Sequence, residues 1–215
     1  MEAEHEIAGL RFWDGDPTVE LLEADEESGA MLLERCEPGR PLGSRAAEEQ
    51  DVVVIARLLR RVWRTPPSPH PFRDLAVMIE YWVAETRAEE ERWVDAGLVR
   101  EGLRVFEELE SETVADPVLL ATDLHAGNVL SAEREPWLVI DPKPFVGDRA
   151  YDATQHLLND VERLRRDPAR VIGRFAGLLD VDADLVRRWV FARAAAESHG
   201  DWDEDWTGLA RALAD

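Results

Sequence analysis

The chain has 215 residues, and 25 Lys and Arg against 46 Asp and Glu give it a formal net charge of -21 at pH 7. Its hydrophobic content of 45% is enough to bury a core, which argues against a disordered chain. Because such an acidic chain repels phosphate backbones and anionic lipids, we exclude nucleic acid and membrane surfaces as partners and favour a cationic small molecule.

Cysteine usage and the first residues predict a cytoplasmic protein. Cys36 is the only cysteine, so no disulfide can form within the chain. The acidic start lacks the basic and apolar segments of a signal peptide. No aliphatic run approaches the roughly 20 residues that a membrane span needs.

The first 37 residues predict a helix followed by a hairpin. Ile7, Leu10 and Trp13 recur at three-residue spacing, as on one face of a helix over 4–13. Two β-prone stretches, 18–24 and 30–36, flank turn-forming residues and predict two paired strands, a sheet that normally needs further strands. The Pro- and Gly-rich segment 37–44 predicts a connector, which divides the chain into domains at 1–37 and 38–215.

Beyond the connector the sequence predicts a mainly helical domain with one β-rich interlude. The interlude, 117–147, contains three short apolar stretches that predict strands. The pattern therefore indicates an α+β fold with a small β-containing part, a hinge and a larger helical lobe. We predict helices at about 45–63, 72–92, 94–110, 149–166, 168–179, 182–197 and 204–213.

The interlude carries residues suited to phosphoryl transfer. Asp123 and Asn128 have the spacing of the D-x-x-x-x-N catalytic loop of kinases, and Asp141 ends an apolar strand where kinases place a metal-binding aspartate. A carboxylate at Asp123 can accept the proton of an acceptor hydroxyl, while Asn128 and Asp141 supply the hard oxygen ligands that Mg²⁺ prefers. Asp123 taken alone could equally be a turn cap, so the prediction depends on all three residues together.

Three segments carry a family resemblance: Thr122–Leu130 (TDLHAGNVL), Trp137–Pro144 (WLVIDPKP) and Val146–Asp152 (VGDRAYD). They resemble the aminoglycoside (streptomycin) 6-phosphotransferase and hydroxyurea phosphotransferase family, and the resemblance runs over nearly the whole chain. It implies a protein-kinase-like fold, seen here mainly as the helical C-terminal lobe with a partial N-terminal lobe. It also implies ATP and Mg²⁺ as cofactors and phosphorylation of an alcohol group on a small-molecule antibiotic, streptomycin-like or hydroxyurea-type.

The resemblance also assigns roles to individual residues. It makes Asp123 the catalytic base, with Asn128 and Asp141 as metal ligands. Glu6 falls where relatives carry a helix glutamate that pairs with the nucleotide-binding lysine. The backbone of Glu34 and Cys36 falls at the hinge that hydrogen-bonds an adenine edge. Asp148 and Asp152 match a family segment, and we expect them to be structural or capping residues.

The sequence departs from the family at its start. Relatives carry a nucleotide-covering loop and a strand with a phosphate-binding lysine before the first helix, and neither is found in these 215 residues. The single lysine, Lys143, follows the metal aspartate and is not expected to replace the missing one. We therefore expect an N-terminally truncated kinase with weak ATP binding and little or no turnover.

Two alternatives remain open at this point. One is a non-catalytic lobe that binds a cationic small molecule through acidic and aromatic residues near the C-terminus, although a solvated acidic tail would show the same pattern. The other is a metal-dependent hydrolase that uses Asp123, His125 and Asp141, although we expect His125 to hold the loop backbone by hydrogen bonding. The C-terminal residues in question are Glu197, Asp201, Trp202, Asp203, Glu204, Asp205 and Trp206.

Overall fold

The computed structural model of the protein describes residues 2–44, 48–196 and 203–214. The chain opens with helix α1 (Glu2–Trp13), followed by antiparallel strands β1 (Leu21–Asp25) and β2 (Ala30–Leu33) and a 3-10 turn at Leu42–Ser44. The predicted opening helix is confirmed, because Ile7, Leu10 and Trp13 lie on one face of α1 and are almost fully buried. The predicted hairpin is confirmed as well.

Most of the remaining chain is helical, and α8 (Ala183–Ala196) lies at the centre of the core. This helix packs against α4 (Ala96–Ser111), α5 (Arg149–Leu158), α7 (Pro168–Leu179) and α9 (Asp203–Ala214). Its run Trp189–Ala196 is buried on every side. A helix that is apolar nearly all round must be surrounded by protein. The helices after the 3-10 turn are α2 (Glu48–Val62), α3 (Leu75–Ala88), α4 (Ala96–Ser111), α5 (Arg149–Leu158), α6 (Val161–Arg166), α7 (Pro168–Leu179), α8 (Ala183–Ala196) and α9 (Asp203–Ala214).

Two predicted helices are wrong in their limits. The predicted helix 72–92 begins only at Leu75, because Arg73–Asp74 is extended and forms strand β3 after a proline-rich segment that disfavours helix. The predicted helix 149–166 is interrupted between Leu158 and Val161. Asp160 accepts a hydrogen bond from the Arg163 amide at 3.2 Å, so it caps a new helix instead of continuing the old one.

Some of the acidic residues cap helices. Several aspartates lie just before a helix and accept hydrogen bonds from its first free amides, which satisfies donors that would otherwise lack partners. Their negative charge also interacts favourably with the positive end of the helix dipole. These aspartates are Asp95, Asp148, Asp160, Asp167 and Asp182.

Two small sheets contain the strands of the β-rich interlude, 117–147. Strand β7 (Phe145–Gly147) pairs in parallel with β3 (Arg73–Asp74) and antiparallel with β4 (Val118–Leu120). Strands β5 (Val129–Leu130) and β6 (Leu138–Val139) form an antiparallel hairpin. The sheets bring together segments far apart in sequence, and neither β3 nor β7 is predicted from the sequence.

The N-terminal segment is joined to the β5–β6 hairpin by backbone hydrogen bonds. Val19 and Val139 are linked through Val19 N to Val139 O at 3.0 Å, and Gly39 N donates to Ser131 O at 3.0 Å. Trp13 lies in the main core, and its indole Nε1 donates to Val62 O at 2.9 Å. No helix in the described part of the chain is both long and apolar enough to cross a bilayer.

Candidate active site

The loop after β4 is held by a buried carboxylate. Asp152 on α5 is fully buried and accepts hydrogen bonds from Ala121 N at 3.0 Å, Thr122 N at 2.7 Å and Trp63 Nε1 at 2.9 Å. Burial raises the pKa of Asp152 to about 6, and the three donors favour its ionised form. The expectation that Asp152 is structural is confirmed, as is the capping role of Asp148, which accepts from Ala150 N at 2.7 Å.

Thr122 takes a conformation that the loop must enforce. Its φ is 52°, in the left-handed region, which costs about 1 kcal/mol or more for a β-branched residue. The Thr122 hydroxyl donates to Lys143 O at 2.6 Å, and Lys143 N donates to Ala121 O at 2.9 Å. These bonds tie the loop to the segment after Asp141 and direct the next residue, Asp123, into a cavity.

Asp123 is half-buried and close to other charged groups. Burial raises the pKa of its carboxyl, and the negative charge of Asp141 acts in the same direction. Electrostatic interactions with His125, Lys143 and Arg193 oppose this shift. A carboxylate with a raised pKa is a stronger base than a solvated aspartate, which suits the acceptance of a proton from a hydroxyl.

Asn128 and Asp141, the predicted metal ligands, lie at the open end of the β5–β6 hairpin. Asn128 Nδ2 donates to the Asp123 carbonyl at 3.0 Å, with a longer 3.4 Å contact to Asp123 Oδ2. Because the amide nitrogen is engaged, the amide oxygen of Asn128 is the atom left to face a metal. Ile140 N donates to Asn128 O at 3.0 Å, which holds the residue before Asp141 beside Asn128.

This donor set fits Mg²⁺ shared with a nucleotide. Magnesium is usually held by one or two protein oxygens, with phosphate and water oxygens completing the octahedron. Within the described ranges, no group of three His, Cys, Asp or Glu residues could hold a metal ion by itself. Lys143 Nζ lies 2.5 Å from Asp141 Oδ1, so this carboxylate already has a cationic partner.

His125 has a local structural role. Its Nδ1 accepts a hydrogen bond from Gly127 N at 3.0 Å and caps the 3-10 turn Ala126–Asn128. The expectation that His125 holds the loop backbone is confirmed. Because Nδ1 is engaged as an acceptor, the geometry does not favour the hydrolase interpretation.

The predicted hinge residues lie beside the same hairpin. The Glu34 carboxylate accepts from Arg134 at 3.0 Å and 2.7 Å and from Glu20 N at 3.1 Å, and the bonds from Arg134 lower the pKa of Glu34. Cys36 packs against a small apolar cluster that contains Leu138, and burial raises the pKa of its thiol. Across residues 2–44, 48–196 and 203–214, the Glu34 carbonyl and the Cys36 amide make no hydrogen bond.

Glu6 is nearly buried on α1, and this helix adjoins the loop after Asp141. A Cβ at Gly9, one turn further along, would lie 3.0 Å from Pro144 Cγ, so glycine permits the close approach. The structure therefore places α1 beside the segment that carries the predicted metal ligand. The cofactor-binding role of Glu6 stays a prediction.

Asp123 opens into a cavity of about 470 Å³, which lies between α3, α5, α8 and the loop after Asp141. Three cations line it, Arg73, Lys143 and Arg193, and Asp123 is the single carboxylate among its described lining residues. Sequence reasoning missed Arg73 and Arg193. The sequence did carry a signal for Arg193, because this residue interrupts the apolar run Val190–Ala196. A charged residue in a buried apolar run needs partners.

The C-terminal acidic and aromatic cluster lies mostly outside the described residues. Glu197, Asp201 and Trp202 lie outside the described residues, and the side chains of 203–205 are not described either. Trp206 packs partly buried against the main core. No ligand pocket can therefore be assigned to this cluster.

Comparison with known proteins identifies the family. The sequence profile of the family described as "Aminoglycoside/hydroxyurea antibiotic resistance kinase" matches residues 1–205. The chain belongs to this family. It is 37% identical over 212 residues to streptomycin 6-kinase of Streptomyces griseus, covering 95% of this chain and 68% of the relative. It is 36% identical over 199 residues to hydroxyurea phosphotransferase of Kitasatospora aureofaciens, covering 89% of this chain and 56% of that relative.

Solved structures show the same fold. Choline kinase LicA of Streptococcus pneumoniae superposes with a TM-score of 0.70 at 14% identity, covering 99% of this chain and 80% of that one. An aminoglycoside phosphotransferase of Streptomyces rimosus, solved with ADP and streptomycin, gives 0.63 at 17% identity, covering 97% and 81%. The predicted protein-kinase-like α+β fold is confirmed, and the family resemblance read from the motifs is confirmed with it.

Proposed function

We propose that this member of the antibiotic resistance kinase family transfers the γ-phosphoryl group of ATP to a hydroxyl of a small molecule. The observation that carries the proposal is the position of Asp123. Its loop is fixed by Asp152, its carboxylate faces a cavity, and Asn128 and Asp141 lie beside it. Phosphoryl transfer depends on positioning and charge stabilisation, and this arrangement can supply both.

Asp123 would act as the base on the acceptor. Its carboxylate accepts the hydroxyl proton as the acceptor oxygen forms a bond to the γ-phosphorus and the bond to the leaving ADP oxygen breaks. The Asn128 hydrogen bond to the Asp123 carbonyl holds the base loop against the metal-binding pair. Mg²⁺, held by Asn128 and Asp141, would neutralise phosphate charge.

We propose that the adenine lies at the hinge. The Glu34 carbonyl and the Cys36 amide offer one acceptor and one donor, the complement of an adenine edge. Glu6 on α1 belongs to the same proposed nucleotide site, at the position where relatives carry a glutamate that pairs with a lysine absent from these 215 residues. The same proposal includes a smaller lobe over 1–37, a larger lobe over 38–215 and a cytoplasmic location.

The named relatives suggest the first acceptors to test. One is a streptomycin 6-kinase and another a hydroxyurea phosphotransferase, so streptomycin and hydroxyurea are the first compounds to offer this chain. Purified protein is incubated with Mg-ATP and each acceptor, and mass spectrometry detects a product heavier by one phosphate. We expect the wild type to form a product slowly, in line with the weak turnover expected from the sequence, and Asp123→Asn to form none.

The matched control is Asp148→Asn, the same substitution at a helix cap, where asparagine is an equally good capping residue. This control should keep activity. A product formed at wild-type rate by Asp123→Asn would refute the assignment of the base. Absence of any product from a folded wild type across all acceptors would refute the activity of this chain.

A further inference from the structure

The single lysine of the chain lies beside the proposed base. Lys143 follows Asp141 and Pro142 and lines the cavity that Asp123 faces. Every other residue among the 25 Lys and Arg is an arginine. The proposed reaction gives a role to Asp123, Asn128 and Asp141 but none to Lys143, so the contacts of this lysine indicate what it does there.

Both backbone groups of Lys143 are bonded to the loop that carries the base. Its amide donates to Ala121 O at 2.9 Å, and its carbonyl accepts from the Thr122 hydroxyl at 2.6 Å. Thr122 directly precedes Asp123, so the start of the lysine side chain is fixed relative to the base. Fixing of this kind lowers the entropy cost of bringing a group to a bound substrate.

The ammonium of Lys143 interacts with both functional carboxylates. Its Nζ donates to Asp141 Oδ1 at 2.5 Å. Burial raises the pKa of the Asp123 carboxyl, and the interaction with Lys143 opposes this rise, so the ammonium is also close to the base. The Lys143 side chain lines the cavity and is 29% exposed, so a bound molecule can reach it.

The transferred phosphoryl group must pass the same place. The acceptor hydroxyl has to contact Asp123, and the terminal phosphate has to lie beside Asn128 and Asp141, so transfer takes place between these residues. Charge is spread over three equatorial oxygens during the transfer, and a fixed cation beside them stabilises that charge. An ammonium has three N–H donors, so its contact with Asp141 is compatible with a contact to a phosphate oxygen.

We infer that Lys143 is a further catalytic residue, whose ammonium contacts the phosphoryl group of ATP as it passes to the acceptor oxygen while Asp141 orients the lysine. The hydroxyl proton goes to Asp123 as the new oxygen–phosphorus bond forms and the bond to ADP breaks, so Lys143 keeps all its protons and acts by charge alone. The inference rests on the proposed phosphotransfer and adds a residue to it. The role differs from that of the lysine that relatives carry before the first helix, since Lys143 belongs to the wall of the cavity next to Asp123.

Acylation by a reactive ATP derivative tests the contact, and the single lysine makes the result unambiguous. The probe is the mixed anhydride of a carboxylic acid with the terminal phosphate of ATP. An amine beside that phosphate forms an amide with the acyl carbon, the acyl bond to the phosphate oxygen breaks, ATP leaves, and the amine proton passes to solvent. Peptide mass spectrometry of the full chain, treated with the probe and Mg²⁺, locates the acyl group.

The N-terminal amine reports the rate of random acylation. We expect Lys143 to be acylated about tenfold or more faster than this amine, because the bound probe holds the acyl carbon beside it. Excess Mg-ATP should slow the acylation of Lys143 and leave that of the N-terminal amine unchanged. The matched control combines Lys143→Met with Arg57→Lys, which moves the lysine to an exposed position of α2 outside the described cavity lining. Acylation at position 57 should not respond to Mg-ATP.

Kinetic variants separate a contact with the phosphoryl group from a structural ion pair. Lys143→Met should lower kcat about 10²-fold or more with KM for ATP changed less, since the contact is made mainly during transfer. Lys143→Arg should keep part of kcat, because the charge remains while its shape differs. A lysine that served only to pair with Asp141 in folding would instead lower the unfolding temperature of Lys143→Met, which thermal unfolding measures.

The outcomes distinguish this inference from the proposed function. If the chain binds Mg-ATP in isothermal titration but Lys143 is acylated no faster than the N-terminal amine, or if Mg-ATP does not slow its acylation, the inference is overturned. Wild-type kcat in Lys143→Met would overturn it as well. Product formation with any acceptor would in these cases leave the proposed function standing. Acylation blocked by Mg-ATP without transfer to any acceptor would support the phosphate contact and refute the proposed function, and no binding of Mg-ATP would refute both.

Discussion

Arg134 joins the predicted hinge to the β5–β6 hairpin, and its replacement by lysine should weaken both folding and the proposed nucleotide binding. The Arg134 guanidinium donates to both oxygens of Glu34 at 3.0 Å and 2.7 Å, to Gly15 O at 2.8 Å and to Thr18 O at 2.9 Å. One side chain therefore links the start of the chain, the hinge and the β5–β6 region. A single ammonium group cannot reach all four acceptors.

The expected loss in the free energy of unfolding follows from the number of hydrogen bonds that the substitution removes. Arg134→Lys keeps the charge but loses at least two of the four hydrogen bonds, each worth about 1.5 kcal/mol when one partner is charged. The side chains of Arg134 and Glu34 are 32% and 16% exposed, so solvent screening reduces this sum only in part. We expect the free energy of unfolding to fall by about 2 kcal/mol, with KM for ATP raised and kcat changed less.

Urea unfolding followed by tryptophan fluorescence measures the stability, and steady-state kinetics measures KM. Arg35→Lys is the matched control, because the Arg35 side chain is 86% exposed and pairs with Glu37 at 3.2 Å, a surface pair worth about 0–1 kcal/mol. A loss below about 0.5 kcal/mol in Arg134→Lys, or an equal loss in the control, would refute the reasoning.

The pH dependence supplies a second check with a defined sign. Arg134 lowers the pKa of Glu34 in the folded protein, so the pair stabilises the fold above the unfolded pKa, and this contribution is lost as the pH falls and Glu34 takes up a proton. The stability difference between wild type and Arg134→Lys should therefore shrink on acidification. A difference that grows instead would contradict the assigned pair.

Further predictions concern the base loop and its metal. Asp123→Asn should lower kcat by about 10²–10⁴-fold with KM for ATP little changed, as steady-state kinetics will show. Because burial raises the pKa of Asp123, kcat/KM should fall on acidification at a pH above the range usual for an aspartate, as a pH profile will show. Asn128→Ala should raise the Mg²⁺ concentration for half-maximal activity, and chelation by EDTA should abolish turnover in a metal titration. Asp152→Ala leaves three buried donors without an acceptor and should cost about 3 kcal/mol in urea unfolding.

Each of these predictions can fail separately. Full kcat in Asp123→Asn would exclude this residue as the base, and a pH profile flat down to the usual aspartate range would exclude its raised pKa. An unchanged Mg²⁺ requirement in Asn128→Ala would remove Asn128 from the metal site. Unaltered stability in Asp152→Ala would show that its three hydrogen bonds do not hold the loop.

The sequence by itself determined which residues form the proposed catalytic loop, because that loop is local. Asp123 and Asn128 are five residues apart, and a single hairpin brings Asp141 beside them, so spacing and turn chemistry are enough. The helix spacing of α1 and the capping aspartates could likewise be predicted from neighbouring residues. The limits of α3 and the break after α5 could not, since strand pairing and a cap overrode the helical pattern.

Only the tertiary structure decided which charged residues line the cavity next to Asp123. A net charge of -21 favoured a cationic partner when charges were summed over the chain. Packing places Arg73, at the end of a proline-rich segment, and Arg193, in the buried α8, in the lining of the cavity that Asp123 faces. Residues so far apart in sequence meet only through the strand β3–β7 pairing and the position of α8 in the core. Composition therefore describes the surface of this protein, whereas the site depends on which few charges the fold turns inward.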